Sequence, residues 1–310
     1  SAAVTEDGPT TDAGNVLTDD DGDGVDTDLD LDSLTVEQVH FGATTVAVPG
    51  VGSVNIAGQY GTLTISASGS YTYALNNALA AVQQLQVGEV LTEVFNYTAT
   101  DGLADATANL TVTIHGQNDN PVGVGTIPNQ SDADSETITA LDVSGFFDDA
   151  DLNDSLTYDD LGTLPSGLSI DLNSGVITGT LPADASQGGV GGLYTVTIEV
   201  TDDHGRTATR TFTWTVTNPA PIATNNSGSV TEDGPTVDNG NVLSDNDGTG
   251  LDSDPDGDAI FVTEVDGVLV PGVGAVVING QYGTLTIAAD GGYTYALHNS
   301  LPAVQSLGLG

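Results

Sequence analysis

The chain has no cysteine and no methionine, and only 2 of its 310 residues are basic. Without cysteine there is no disulfide framework and no thiol chemistry. A protein of this kind working outside the cell must be stiffened by something else. Two basic residues against 44 acidic ones give a formal net charge of −42. Such a charge repels phosphate backbones, which excludes nucleic acid as a partner. It repels anionic headgroups too, and no apolar run approaches the ~18 residues of a membrane span. This segment therefore inserts into no membrane. Aromatic residues make up 5%. Helical periodicity is scarce: the best stretch, Asn77–Leu85, predicts one short helix or 3-10 turn. No secretion leader opens the chain, which reads as a piece of something longer.

High charge with few aromatics can signal disorder, but the apolar residues here are ordered in the sequence. They alternate with threonine in Tyr60–Ile65, Ser70–Leu75, Phe95–Ala99, Ala108–Ile114, Tyr194–Val200 and Thr211–Val216. A period of two with Val, Ile, Leu or Tyr on one face predicts half-buried strands. Short Gly-, Asp- and Asn-rich turns separate them. The expected fold class is all-β, built of β-sandwiches.

The chain repeats itself. Val4-Thr-Glu-Asp-Gly-Pro9 recurs at 230–235, Gly14-Asn-Val-Leu17 at 240–243, and Gly58-Gln-Tyr-Gly-Thr-Leu-Thr-Ile65 at 280–287. Tyr71-Thr-Tyr-Ala-Leu75 recurs at 293–297. The offset falls from 226 to 222, placing a four-residue length difference near His40–Val46. Residues 1–119 and 219–310 are thus expected to be one domain type, flanking a different sandwich at 120–218. The second copy stops where the first continues into Leu91–Thr100 and Ala106–Ile114, so it reads as lacking its last two strands.

Of the 44 acids, 36 are Asp, and they cluster. Asp19, Asp21, Asp23, Gly24 and Asp30 follow the carboxylate order of a calcium loop, positions 1, 3, 5, 6 and 12. Asp26, Asp28 and Asp32 share the same stretch. The repeat supplies Asp245, Asp247, Asp252, Asp254, Asp256 and Asp258. Short carboxylates packed together repel unless a cation lies between them. Several Ca²⁺ ions, roughly 4–10, are expected. A solvated acidic loop or adaptation to high salt would also yield acidic stretches. Neither explains matching clusters in two repeats. Mg²⁺ suits the pattern less, because it keeps its waters.

Three more elements resemble cadherin calcium motifs: the linker Asn118-Asp119-Asn120-Pro121, the pair Asp149-Ala-Asp151, and Asp202 in Thr201-Asp-Asp-His-Gly205. The resemblance implies that they converge on one interdomain site. Gly116 departs from it, since the fuller linker pattern carries Asp there. The second linker, Asn218-Pro-Ala-Pro221, lacks the acidic core. Residues 1–118 and 222–310 resemble VCBS-type repeats. The middle segment resembles the dystroglycan-type cadherin-like domain, through Phe147-Asp148, Leu156-Thr-Tyr158, Leu164–Leu168 and Gly175–Gly179. The resemblance implies tandem Ig-like/cadherin-like β-sandwiches in a linear array, as in giant repetitive bacterial adhesins of the RTX, type I-secreted kind, at the cell surface and engaged in attachment and biofilms.

Catalysis is not expected. His40, His115, His204 and His298 are dispersed, and each reads as a surface or turn residue. Trp214 reads as core, and Arg206 and Arg210 as surface charge pairs near Asp202 and Asp203. The paired carboxylates could serve glycoside hydrolysis, but they sit in multi-Asp turns that suit a metal. The expected role is a calcium-stiffened spacer whose partners are neighbouring repeats. A module binding surface glycans or proteins, or strand exchange through an open third domain, stands as the alternative.

Overall fold

The computed structural model describes residues 1–22 and 24–307. Asp23 of the acidic stretch lies outside the described residues. The first unit contains β1 (Ala2–Thr5), β2 (Thr11–Asn15), β3 (Thr35–Phe41), β4 (Thr44–Ala47), β5 (Ser53–Ala57), β6 (Gly61–Ser66) and β7 (Ser70–Leu75). The short helix α1 (Ala80–Gln83) and the long strands β8 (Val90–Thr100) and β9 (Asp105–His115) complete it. Two sheets face each other, ordered β1-β9-β8-β3-β4 and β2-β7-β6-β5. β1 runs parallel to β9, and the other pairs are antiparallel.

The alternation in the sequence explains the core. Leu63, Ile65, Tyr71 and Tyr73 of one sheet are buried against Phe95, Leu110, Val112 and Ile114 of the other. Each such side chain contributes about 1.5–3 kcal/mol of burial. The threonines between them face outward or stay half-buried.

The second unit is built from β10 (Val122–Gly123), β11 (Gln130–Ala133), β12 (Leu141–Asp142), β13 (Phe147–Asp148), β14 (Thr157–Asp159), β15 (Leu168–Ile170), β16 (Val176–Gly179), β17 (Leu193–Thr201) and β18 (Thr207–Thr217). Its sheets are β11-β18-β17-β14, β12-β16-β15 and the pair β10-β13. Here too the early strand β11 runs parallel to the late strand β18. Trp214 sits in this core, and its indole N–H donates to Asp132 at 2.7 Å.

The third unit has β19 (Val237–Asn241), β20 (Glu264–Val265), β21 (Val268–Leu269), β22 (Ala275–Asn279), β23 (Gly283–Ala288), β24 (Gly292–Leu297) and α2 (Pro302–Gln305). Its sheet β19-β24-β23-β22 repeats the order of β2-β7-β6-β5. Thr286 opposes Thr294 as Thr64 opposes Thr72. A groove of about 330 Å³ runs over Val230, Leu285, Ile287, Tyr293 and Tyr295. On the first unit the equivalent face is covered by β8 and β9.

The reading of the arginines is corrected. Arg206 meets Asp202 through its backbone, donating its N–H at 2.7 Å. The Arg210 guanidinium donates to the Gly123 carbonyl rather than to an acid. That carbonyl lies on β10, which packs along β18, so the guanidinium ties the linker strand to the sheet.

Candidate metal centre

The repeated Glu-Asp-Gly-Pro turn opens the site. Thr5 N–H donates to Pro9 at 3.0 Å, and Asp7 adopts a positive φ of 48°. The turn is fastened to Asn77, which accepts from Asp7 N–H at 3.0 Å. Asp233 and Asn299 reproduce this in the third unit. The geometry presents Glu6 inward, 1% exposed, where one carboxylate oxygen accepts from Gln117 N–H at 2.7 Å.

The linker then passes directly over the second unit. Asn118 donates to Asp202 at 2.9 Å, and Asp119 N–H donates to Asp151 at 2.8 Å. Asp151 N–H donates to Asp149 at 3.0 Å. Asp202 closes its own turn by accepting from His204 and Arg206 N–H at 2.9 and 2.7 Å. Asn153 donates to Glu89 at 3.1 Å, and Gln86 donates to Asp154. Carboxylates from the start of unit one, the linker and the top of unit two therefore meet at one place.

Their electrostatics are unbalanced. Six buried oxygens have no hydrogen-bond partner among the described residues: Glu6 Oε2, Asn118 Oδ1, Asp119 Oδ2, Asp149 Oδ2, Asp151 Oδ1 and Asp154 Oδ2. All six are acceptors, and buried polar groups are ordinarily satisfied. Burial, with the nearby charges of Asp119, Asp151 and Asp7, pushes Glu6 up to about 7. Burial with Asp7 and Asp151 raises Asp119 to about 6. Burial with Asp203 and Asp151 raises Asp154 to about 6. Asp149 and Asp151 are raised as well, mainly by burial. Burial would raise Asp202 too, but hydrogen bonds from Asn118, Arg206 and His204 outweigh it and hold the group low.

This donor set fits a hard divalent cation. Ca²⁺ takes about 6–8 oxygen ligands and tolerates irregular geometry. Asp149, Asp154 and Asp202 bring carboxylate oxygens within 4.8 Å of one another. Glu6 and Asp154 were missed in the sequence. Glu6 carried a signal, since it recurs as Glu232, whose Oε2 is likewise buried without a partner. Gly116 also has a reason. A Cβ there would overlap the carbonyl oxygens of Leu85 and Gln86, so no aspartate fits. Asn120 is exposed.

The acidic stretches behave differently. Asp19 accepts from Asn15 N–H at 2.5 Å, and Asp245 from Asn241 N–H at 2.6 Å. Asp21 accepts from the Ser1 nitrogen, as Asp247 accepts from the equivalent Ser227 N–H. Asp20 and Asn246 each cap two glycine N–H groups, and Gly24 and Gly250 have φ of 90° and 109°. Asp26 accepts from Tyr97 at 2.8 Å. Asp28 accepts from Asp30 and Asp32 N–H at 2.8 and 3.1 Å. Asp28 and Asp32 meet Asp101, from the β8–β9 turn, within 4.8 Å. Asp252 accepts twice from Thr224, while Asp254 caps Asp256 N–H and Asp256 caps Asp258 N–H.

Comparison with known proteins agrees with this architecture. Residues 1–116 match the family model described as Bacterial cadherin-like domain, 120–217 the Putative Ig domain, and 218–307 the Bacterial Ig domain. The chain is a tandem of bacterial cadherin-like and Ig-like β-sandwich domains, modules that are typically extracellular, structural or adhesive, and non-enzymatic. No curated protein matches it. Among solved structures it is similar to protocadherin gamma B7 extracellular cadherin domains 1–4, at 14% identity and a TM-score of 0.41. Domains 1–4 of protocadherin gamma B3 share 12% identity at 0.46, and the protocadherin gamma B4 extracellular domain 14% at 0.42. Each alignment covers 98% of this chain and 67%, 66% and 43% of the respective structure. No helix among the described residues is long and apolar enough to cross a membrane.

Proposed function

We propose that this chain is a calcium-stiffened extender segment of a large bacterial surface adhesin. In this reading the flanking units are VCBS-type repeats, and the parent protein is of the RTX, type I-secreted kind that supports attachment and biofilms. Its domains run 1–119, 120–218 and 219–310. Ca²⁺ is held at the first junction by Glu6, Asn118, Asp119, Asp149, Asp151, Asp154 and Asp202. Further ions lie along Asp19–Asp32 and Asp245–Asp258. The carrying observation is the set of six partnerless buried oxygens at the first junction. A cation there would neutralise the clustered carboxylates and tie the linker to the second unit. The test is calorimetric titration of the chelated chain with Ca²⁺, read alongside small-angle scattering. Saturable binding with a stiffer, more extended particle supports the reading, and absence of either defeats it.

A further inference from the structure

Beside the oxygen-only cluster lies a group of different chemistry. The turn Asp202–Gly205 places Asp203 and His204 against Asp154. His204 Nδ1 lies 2.7 Å from Asp203 Oδ1 and 3.7 Å from Asp154 Oδ2. The three ligand atoms all fall within 4.8 Å of one another. The Asp154 side chain is 0% exposed. Gln86 satisfies one of its oxygens, while Oδ2 is buried with no hydrogen-bond partner and faces the imidazole. His204 and Asp203 remain 34% and 47% exposed, which leaves an entry path from solvent.

We propose that Asp154, Asp203 and His204 form a site for a divalent transition metal of the Zn²⁺ class, separate in chemistry from the calcium cluster. Imidazole adds little to a hard ion such as Ca²⁺ but is a preferred ligand for Zn²⁺, Ni²⁺ and Cu²⁺. Zn²⁺ binds His nitrogen at about 2.0–2.1 Å and carboxylate oxygen at about 2.0–2.2 Å, so tetrahedral ligands stand roughly 3.4 Å apart. The 3.7 Å separation of His204 from Asp154 is close to that edge. The Asp203 contact, at 2.7 Å, needs only to open slightly to admit a metal. Three protein ligands leave a fourth position for water or a neighbouring group. Asp154 belongs to both clusters, because it also meets Asp149 and Asp202. The two metals would therefore be thermodynamically linked through one carboxylate.

The test titrates the full chain, saturated with Ca²⁺, with Co²⁺ as a visible stand-in, and then displaces it with Zn²⁺. The expected result is one equivalent of d–d absorption that Zn²⁺ abolishes. Loss of a group that merely orients a metal ligand already costs about 10–100-fold in metal affinity, so His204→Asn should weaken Co²⁺ binding by at least about tenfold. Asp203→Asn, altering an exposed carboxylate, should do the same. Both variants should bind Ca²⁺ like the parent. Lack of a saturable cobalt spectrum overturns the proposal, as does undiminished binding by His204→Asn. Cobalt that enters only by expelling an equivalent of Ca²⁺, with His204→Asn indifferent, overturns it too. Failure of the calcium reading would appear separately, as no Ca²⁺ uptake by the parent chain.

Discussion

Glu6 concentrates the electrostatic problem of the first junction. An acid whose pKa is raised on folding keeps its proton at pH values where the unfolded chain has released it. The folded state then binds more protons, and stability falls as pH rises through the window. The window opens near the ordinary carboxylate values of about 4 and closes at about 7 for Glu6, and about 6 for Asp119 and Asp154. In chelator, the chain should therefore melt higher at about pH 5 than at about pH 7.5. Ca²⁺ binds the folded state and should remove or invert that difference. Equal melting at both pH values in chelator would count against the junction as drawn. Glu6→Gln separates the two effects. Glutamine can still accept from Gln117 N–H and carries no charge. The variant should be more stable than the parent in chelator near neutral pH, by part of the roughly 1–3 kcal/mol that a buried unsatisfied group costs. It should bind Ca²⁺ more weakly. A variant that loses stability in chelator would show that Glu6 is held by packing alone.

At the level of strands, the alternating runs were legible because threonine and aliphatic residues occupy opposite faces. Ser70–Leu75 forms β7 with the same ends, and Tyr194–Val200 and Thr211–Val216 lie inside β17 and β18. β10, β12 and β13 are two residues each, too short to carry a period. The parallel pairing of β1 with β9 joins Ala2 to Val112, and nothing in Ala2–Thr5 announces a partner that distant. His204 read as a dispersed turn residue because Asp154 is 50 positions away and reaches it only through the fold. Repetition was the better guide to special backbone. Gly61 and Gly283 open equivalent strands, and a Cβ on Gly61 would overlap the Ala74 carbonyl and the Tyr73 hydroxyl. That hydroxyl donates to the buried Glu93, which also accepts from Gln59 and Tyr60 N–H. Gly61→Ala should destabilise the first unit by about 1–3 kcal/mol, as overpacking does. Urea unfolding would read this as a lower midpoint with an unchanged slope. An unshifted midpoint would mean that the hairpin relaxes freely and that the Glu93 network is not coupled to it.

For the whole molecule, the two junctions differ in what closes them. At the second, neutral donors do most of the work. In the amide orientation that satisfies hydrogen bonding, with nitrogen toward the acids, Asn218 donates to Asp256 at 3.0 Å and to Asp134 at 3.2 Å. Ile222 and Ser253 exchange backbone hydrogen bonds of 2.7 and 3.0 Å, and Thr224 donates twice to Asp252. At the first junction, carboxylates face each other with lone pairs left over. Interfaces between domains of one chain leave relative motion as the default unless something fixes them. Chelation should therefore loosen the first junction more than the second. Changing Asp149 and Asp151 together to Asn removes two charges with little change in shape. At position 149 a ligand oxygen is lost. At position 151 the new amide carbonyl can still accept from Asp119 N–H, so the linker path survives but the cation is held less tightly. In Ca²⁺, small-angle scattering of the double variant should show a shorter, more flexible particle, close to that of the parent in chelator. Asn218→Ala gives the contrast: it should loosen the second junction in Ca²⁺ as well as in chelator, because it removes a neutral donor rather than a ligand charge. If the double variant stays as extended as the parent in Ca²⁺, packing alone fixes the first junction, and the partnerless oxygens there have no mechanical role.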